Sequence, residues 1–489
     1  MPPQGFSASR DTTADADANT PNRVPQRPGA LLDPVAVAPL PTGAAAWIRS
    51  ALTAGRSSLT LGLLLDGVAS YVFLSAAARD LGPDRFAVVS VLWVVLFLVG
   101  NGLFIPVEQE LSRSISARVA HGRGWSALVR RVSIASGAVL VVASTVGVVA
   151  RDRIAESLFR GDVAFVWLFL LGLVGVWLMF VLRGILSGEH RFHAYGLMFA
   201  ADAVAKAVPG LLLFWFGAWR VSSFGLIVAG SAYAGIAVAA LCMRRRGRSP
   251  AGHRPGRDEA DDPTPPDPAP AWGVLGTSLG FLLLTSFLSA LAINLGTLAI
   301  EVIGSRVDAA KAGIFLSGLV IARIPLFLFQ AIQAIVLPRL SRLAALGDLP
   351  GFRADLRRLN VTMAGSTVAA VAVAALLGPL AVRVLFGDEF AILGARDMAM
   401  LTLSSMLMTA ALTLNQAQIA LHRQRQTGWP WGLATAAFFA VVATNGHDLF
   451  LRVELGMVAA GALAFVVVAV LVQRELRHPD DLRVETPTL

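Results

Sequence analysis

Four charged side chains interrupt long apolar stretches of this chain: Asp66, Asp202, Lys206 and Arg323. An ionisable group at bilayer depth costs several kcal/mol and is a functional candidate by default. Asp202 and Lys206 stand four residues apart, so on a helix they share a face and can pair. In the plain reading they only neutralise each other. In the sharper one Lys206 faces a central cavity and meets a phosphate. Arg323 has no acid within four residues, so it must find a partner on another element or line a cavity. Its guanidinium fork suits two oxygens of a pyrophosphate, and Pro325 would free a carbonyl and bend the helix beside it. Asp66 admits two roles, a structural partner for Lys206 or Arg323, or a protonatable ion-coupling switch. Asn294 and Asn415 supply neutral polar groups in or near the spans. With Asn101, Gln330, Gln333 and Gln416, they also fit plain interhelical hydrogen bonds.

Helices must carry these residues through a membrane. Of 489 residues, 55% are hydrophobic and only 15% charged, with mean hydropathy +0.66; a soluble chain carries about 25% charged residues. Apolar runs of membrane-crossing length recur along the chain. The expected fold is an all-α polytopic membrane protein of twelve spans, near 57–78, 86–107, 132–150, 163–184, 195–217, 223–242, 275–303, 312–337, 361–382, 398–417, 429–445 and 453–472. A Pro- and Asp-rich tail (1–52) comes first and reads as disordered. A first lobe (53–242), a linker (243–271), a second lobe (272–473) and a polar tail (474–489) follow. The linker opens on Arg244, Arg245, Arg246 and Arg248 and runs through seven prolines from Pro250 to Pro270. Such a composition reads as a flexible connection.

The net charge of +9 does not point to nucleic acid. Well over twice as many basic residues fall on the side of the termini and linker as on the opposite side. That bias sets both termini in the cytoplasm and the linker arginines against anionic lipid headgroups. Cys242 is the sole cysteine, and His190, His193 and His422 lack metal-ligand spacing. No metal or cofactor is expected. No nucleotide-binding glycine-rich lysine loop is present, so ATP is not a direct energy source.

The chain repeats itself. Gly124-Trp125-Ser126-Ala127-Leu128-Val129-Arg130-Arg131 precedes the third span, and Gly351-Phe352-Arg353-Ala354-Asp355-Leu356-Arg357-Arg358 precedes the ninth. Leu158-Phe159-Arg160-Gly161-Asp162 matches Leu385-Phe386-Gly387-Asp388 at the same offset. His190-Arg191 corresponds to His422-Arg423, and Pro106 with Ser112-Arg113 to Pro338 with Ser341-Arg342. Because six is even, a six-span duplication gives both halves one orientation. They are related by a pseudo-two-fold axis along the membrane normal, with a site between them.

The stretch from Asp66 through Ser75-Ala76-Ala77-Ala78-Arg79-Asp80-Leu81-Gly82-Pro83 resembles the start of oligosaccharide flippases of the multidrug/oligosaccharidyl-lipid/polysaccharide exporter superfamily. Pro106-Val107-Glu108-Gln109-Glu110-Leu111-Ser112-Arg113 and Leu337-Pro338-Arg339-Leu340-Ser341-Arg342 carry the same resemblance. It spans roughly residues 59–471 and implies a MATE-like fold. It also implies alternating access of two six-helix lobes, and a lipid-linked oligosaccharide as cargo for surface polysaccharide synthesis. The superfamily's drug exporters carry a similar acid in the first span, so a proton- or sodium-coupled multidrug exporter stands as the alternative. The chain is expected to act as a monomer among membrane lipids, with Asp66 as the ion-coupling candidate. A membrane glycosyltransferase or polymerase would need an acidic or His-bearing loop large enough to hold a sugar. Every expected loop on the side opposite the termini is short, so the chain is not expected to be an enzyme.

Overall fold

The structure, a computed structural model, describes residues 57–120, 124–217, 220–246, 272–303, 310–324, 340, 343–344, 346–421, 427–444, 446 and 448–477. These form twelve α-helices, with no strand among the described residues. The helices are α1 (Ser57–Ala120), α2 (Ser126–Val149), α3 (Arg151–Leu158), α4 (Val163–Gly188), α5 (Phe192–Phe216) and α6 (Val221–Arg246). They continue as α7 (Trp272–Ile303), α8 (Lys311–Ala322), α9 (Leu349–Phe386), α10 (Ala395–Ala420), α11 (Trp429–Thr444) and α12 (Leu449–Arg477). Nine of the described helical segments are long and apolar enough to cross a membrane; α8 and α11 are shorter apolar helices.

The first of those segments, in α1, is a hairpin rather than a rod. Gly82 sits at φ 68°, ψ 168°, a conformation open to glycine and closed to most side chains. Pro83 then starts the second arm, where its missing N–H costs nothing. The rings of Phe73 and Trp93 stack 6.1 Å apart, whereas a straight helix would separate them by about 30 Å. The arms therefore supply the first two expected spans.

The other expected spans fall on α2, on α4 to α7 and on α8 to α12, with three differences. The expected 312–337 span is described only to Ile324, so Pro325, Gln330 and Gln333 lie outside the described residues. Met243–Arg246, expected in the linker, extend α6, since Met and Arg favour helix and the cations suit its C-terminal end. The rest of the linker, 1–56, 478–489, His422 and Arg423 lie outside the described residues. α12 runs on to Arg477, past the expected lobe boundary at 473.

The order of helices recurs in the two halves. α4 and α5 pack on α6, and α10 and α11 pack on α12. Phe159 and Phe386, matched in the sequence repeat, are both buried, and each is followed within two residues by a positive-φ glycine, Gly161 or Gly387. The outward faces of α2 and α9 leave Val141, Val149, Val368 and Leu376 exposed. Such faces belong against lipid hydrocarbon.

Between the halves, α1 packs on α7 and α8. Around the Gly82 turn the contacts are dense. The ring of Phe86 lies 5.7 Å from that of Phe390 and 6.4 Å from that of Phe386. Arg79 donates to the carbonyls of Leu385 and Val384. Arg160 binds Asp84 at 2.8 Å and Glu301 at 3.3 Å. This end, called the Gly82 end below, is closed.

Candidate functional site

Three of the four charged residues meet in the first half. The Lys206 Nζ lies 2.9 Å from Asp202 Oδ2, one turn away on α5, and 2.6 Å from Asp66 Oδ1 on α1. Two glycine contacts bring those helices close enough. A Cβ on Gly196 would collide with the backbone carbonyl of Ser58, and one on Gly210 would press on the Phe73 ring. Asp66 lies between these contacts. Ser70 Oγ stands 3.4 Å from the ammonium, and the Trp93 ring centroid 5.7 Å from it. Two carboxylates thus share one ammonium and leave one net negative charge. Asp202 and Lys206 are 5% and 6% exposed, so this structure encloses Lys206 between its acids instead of turning it to a cavity. Asp66 pairs with Lys206 and not with Arg323.

A second network lies nearer the α5 N-terminus. Arg183 Nη2 is 2.9 Å from Glu108 Oε2. The Tyr195 hydroxyl donates to Glu108 Oε1 at 2.5 Å and accepts from Arg183 Nε at 2.8 Å. The guanidinium also lies 4.4 Å from the Phe180 ring centroid. At the end of the expected fourth span Arg183 reads as interfacial; the structure turns it inward because Glu108 and the rings of Phe180, Tyr195 and Phe199 take it up. Glu189 pairs with Arg191 at 3.4 Å.

Arg323 belongs to the second half and closes the C-terminal end of α8. Its Nη2 donates to the Ile293 carbonyl at 2.6 Å and its Nη1 to Asn294 Oδ1 at 3.3 Å. Asn294 is held in turn by its Nδ2, which donates to the Ala290 carbonyl at 2.8 Å. Both partners of Arg323 are neutral, and among the described residues no carboxylate forms an ion pair with it. Arg323 lines a small cavity, about 20 Å³, with Ser404, Ser405, Met408, Thr409 and Met457.

α10 forms one wall of that cavity, and the surface exposed there is almost wholly apolar. Thr402, Ser405 and Thr409 follow one another at helical spacing. The Thr402 and Ser405 hydroxyls are buried without a hydrogen-bond partner among the described residues, while Thr409 donates to the Ser405 carbonyl at 2.7 Å. Asn415 stands further along α10, away from these cavity-lining residues. Its Oδ1 and both amide atoms of Gln418 are likewise buried and unpartnered among the described residues.

Sequence reasoning passed over the α10 hydroxyls and Glu454. Ser and Thr inside an apolar helix give no charge signal, though their three- and four-residue spacing was readable. Glu454 sits at the edge of the expected 453–472 span, where an acid reads as interfacial.

No family model matches the chain. It is 27% identical over 406 residues to uncharacterized proteins of Mycobacterium bovis and Mycobacterium tuberculosis, covering 79% of this chain and 83% of each relative. Among solved structures it is similar to an inward-facing multidrug resistance MATE family transporter of the MOP superfamily. The TM-score is 0.64 at 15% identity, over 91% of this chain and 100% of that one. A Vibrio cholerae MATE transporter matches with TM-score 0.60 at 15% identity, over 89% of this chain and 98% of that one. A MOP superfamily transporter from Pyrococcus furiosus, described as having a binding pocket of reverse polarity, matches with TM-score 0.62 at 14% identity. That match covers 88% of this chain and 97% of the other. The chain therefore has the fold of MATE transporters and is a membrane protein.

Proposed function

We propose that this protein is a transporter that moves a lipid-linked oligosaccharide from the inner to the outer leaflet of the cytoplasmic membrane, for surface polysaccharide synthesis. Both termini lie in the cytoplasm, and the halves open alternately to the two sides. The observation that carries the reading is Arg323, a cation at membrane depth with only neutral described partners, beside a small cavity. Such a group is costly to bury unless an anion shares the site. A pyrophosphate supplies the anion, and two of its oxygens match the guanidinium fork. The cavity, about 20 Å³, is far smaller than a ligand site in this conformation. The halves must therefore part to admit the phosphates, with the lipid tail left in the bilayer and the sugar between the halves.

One observation favours a second reading, a cation-coupled exporter of amphiphilic compounds. The Asp66–Lys206–Asp202 cluster keeps one net negative charge, which suits a cationic cargo or a coupling cation. Pocket polarity varies in this fold, as the Pyrococcus furiosus transporter is described. Lys206 takes up one of the two acidic charges here, whereas Arg323 has no acid among the described residues, so the anionic cargo is preferred. Deleting the gene separates the two. Lipid-linked oligosaccharide accumulating in the inner leaflet supports the flippase; normal surface polysaccharide with raised dye sensitivity refutes it in favour of the exporter.

A further inference from the structure

Glu454 stands on α12, five residues from its start, and is fully buried. Neither carboxyl oxygen has a hydrogen-bond partner among the described residues. Its surroundings follow from helix geometry. Gly461, two turns further on the same face, lies against the Ser404 carbonyl and Leu407 of α10. Two turns back, Glu454 faces the start of α10, where Asp397 is also buried. Met457, one turn on, lines the Arg323 cavity.

The charged groups around Glu454 are Asp397, Arg396 and Asp448, and the cations in this region are committed elsewhere. Arg396 binds Asp397 Oδ1 at 2.7 Å, and Asp397 Oδ2 accepts the Gly394 N–H at 2.8 Å. Lys311 lies 3.9 Å from Asp448. Arg452, on the same helix, donates to the Val442 carbonyl at 2.7 Å. α11 contains no charged residue, and the single one on α7, Glu301, pairs with Arg160. Among the described residues, an ionised Glu454 would face two acids and one cation, Arg396, which Asp397 already holds. Burial without a partner excludes a stable carboxylate, so in this conformation Glu454 is a neutral acid.

We propose that Glu454 is a proton-binding site of the second half. It holds its proton while the Gly82 end is closed and gives it to water when that end opens, leaving a solvated carboxylate. The carboxylic O–H bond breaks, its electron pair stays on the oxygen, and a water molecule becomes hydronium. This gives the second half a proton carrier besides Asp66, which shares the Lys206 ammonium with Asp202. The link to cargo movement rests on the transporter reading above; the proton site itself does not.

The test therefore uses no cargo. Full-length protein carrying isotope-labelled glutamate carboxyls is placed in lipid nanodiscs and followed by infrared difference spectroscopy as pH rises. Opening of the Gly82 end is followed in parallel by distances between spin labels at residues 80 and 388. The expected result is one protonated glutamic acid band that disappears with rising pH as the labels separate. In E454Q the band is absent and the labels stay together at every pH. The proposal is overturned by a band that E454Q leaves intact, by one that persists wherever the protein is folded, or by an E454Q protein that opens as wild type does. Should E454Q not fold, the wild-type titration decides: loss of the labelled band together with opening supports the site, and a constant band refutes it. A failure of lipid transport changes none of these readouts.

Discussion

Replacing Lys206 by Met removes the cation that Asp66 and Asp202 share. The ammonium lies 2.6 Å and 2.9 Å from their oxygens. At an effective dielectric constant of about 20, each contact carries about 6 kcal/mol of Coulomb attraction, and desolvation of the three groups consumes much of it. What remains visible is the cost of leaving the carboxylates unanswered, about 3–5 kcal/mol for a broken buried pair. Lys206→Met should therefore lower stability by at least that amount, although Met fills nearly the same volume. Adding Asp66→Asn and Asp202→Asn removes the orphaned charges and should restore most of the loss. The assay is the unfolding midpoint of purified protein in one detergent at neutral pH, for wild type, single and triple variants. A single variant as stable as wild type, or a triple variant no better than the single, would refute the enclosed cluster.

Four further outcomes follow from the packing. Gly196→Val sets a side chain against the Ser58 backbone and should cost about 1–3 kcal/mol or more. Gly67→Ala, with open space at its Cβ, should leave the unfolding midpoint unchanged or slightly raised. Phe86→Ala empties the centre of the ring cluster at the Gly82 end, at about 3–5 kcal/mol to the closed form. In an otherwise cysteine-free protein, Ala78→Cys, at a buried position, should then react faster with a membrane-impermeant thiol reagent. Tyr195→Phe leaves Glu108 and Arg183 paired but removes two hydrogen bonds. It should lower thermal stability by about 1–3 kcal/mol, measured by the same unfolding assay.

The fold was largely legible because membrane spans announce themselves by length and apolarity, as the expected spans fall on α2 and on α4 to α7, whereas the short α3 lies in an expected loop. The α1 hairpin was legible too, from Gly82-Pro83 between two apolar runs. The pairing of charges was only half readable. Asp202 and Lys206 share a face by spacing alone, but Asp66 reaches them through the Gly196 and Gly210 contacts, which no local pattern encodes. Arg183 shows the same limit: Glu108 lies 75 positions away in sequence, and only the packing of α1 on α4 brings it near. Glu454 escaped because its burial comes from α10, a separate helix. Charge at depth can be read from a sequence, whereas the neutralising partner is a tertiary fact.

Arg323 carries the account, and one reconstitution tests it most directly. Purified protein is placed in liposomes whose inner leaflet contains a fluorescent isoprenoid-pyrophosphate oligosaccharide, and its appearance outside is read by a membrane-impermeant quencher. The account expects flipping by wild type and at least tenfold less by Arg323→Ala, with the variant's unfolding midpoint close to wild type. An Arg323→Ala protein that flips at the wild-type rate would contradict it, as would a folded wild type that does not move the lipid.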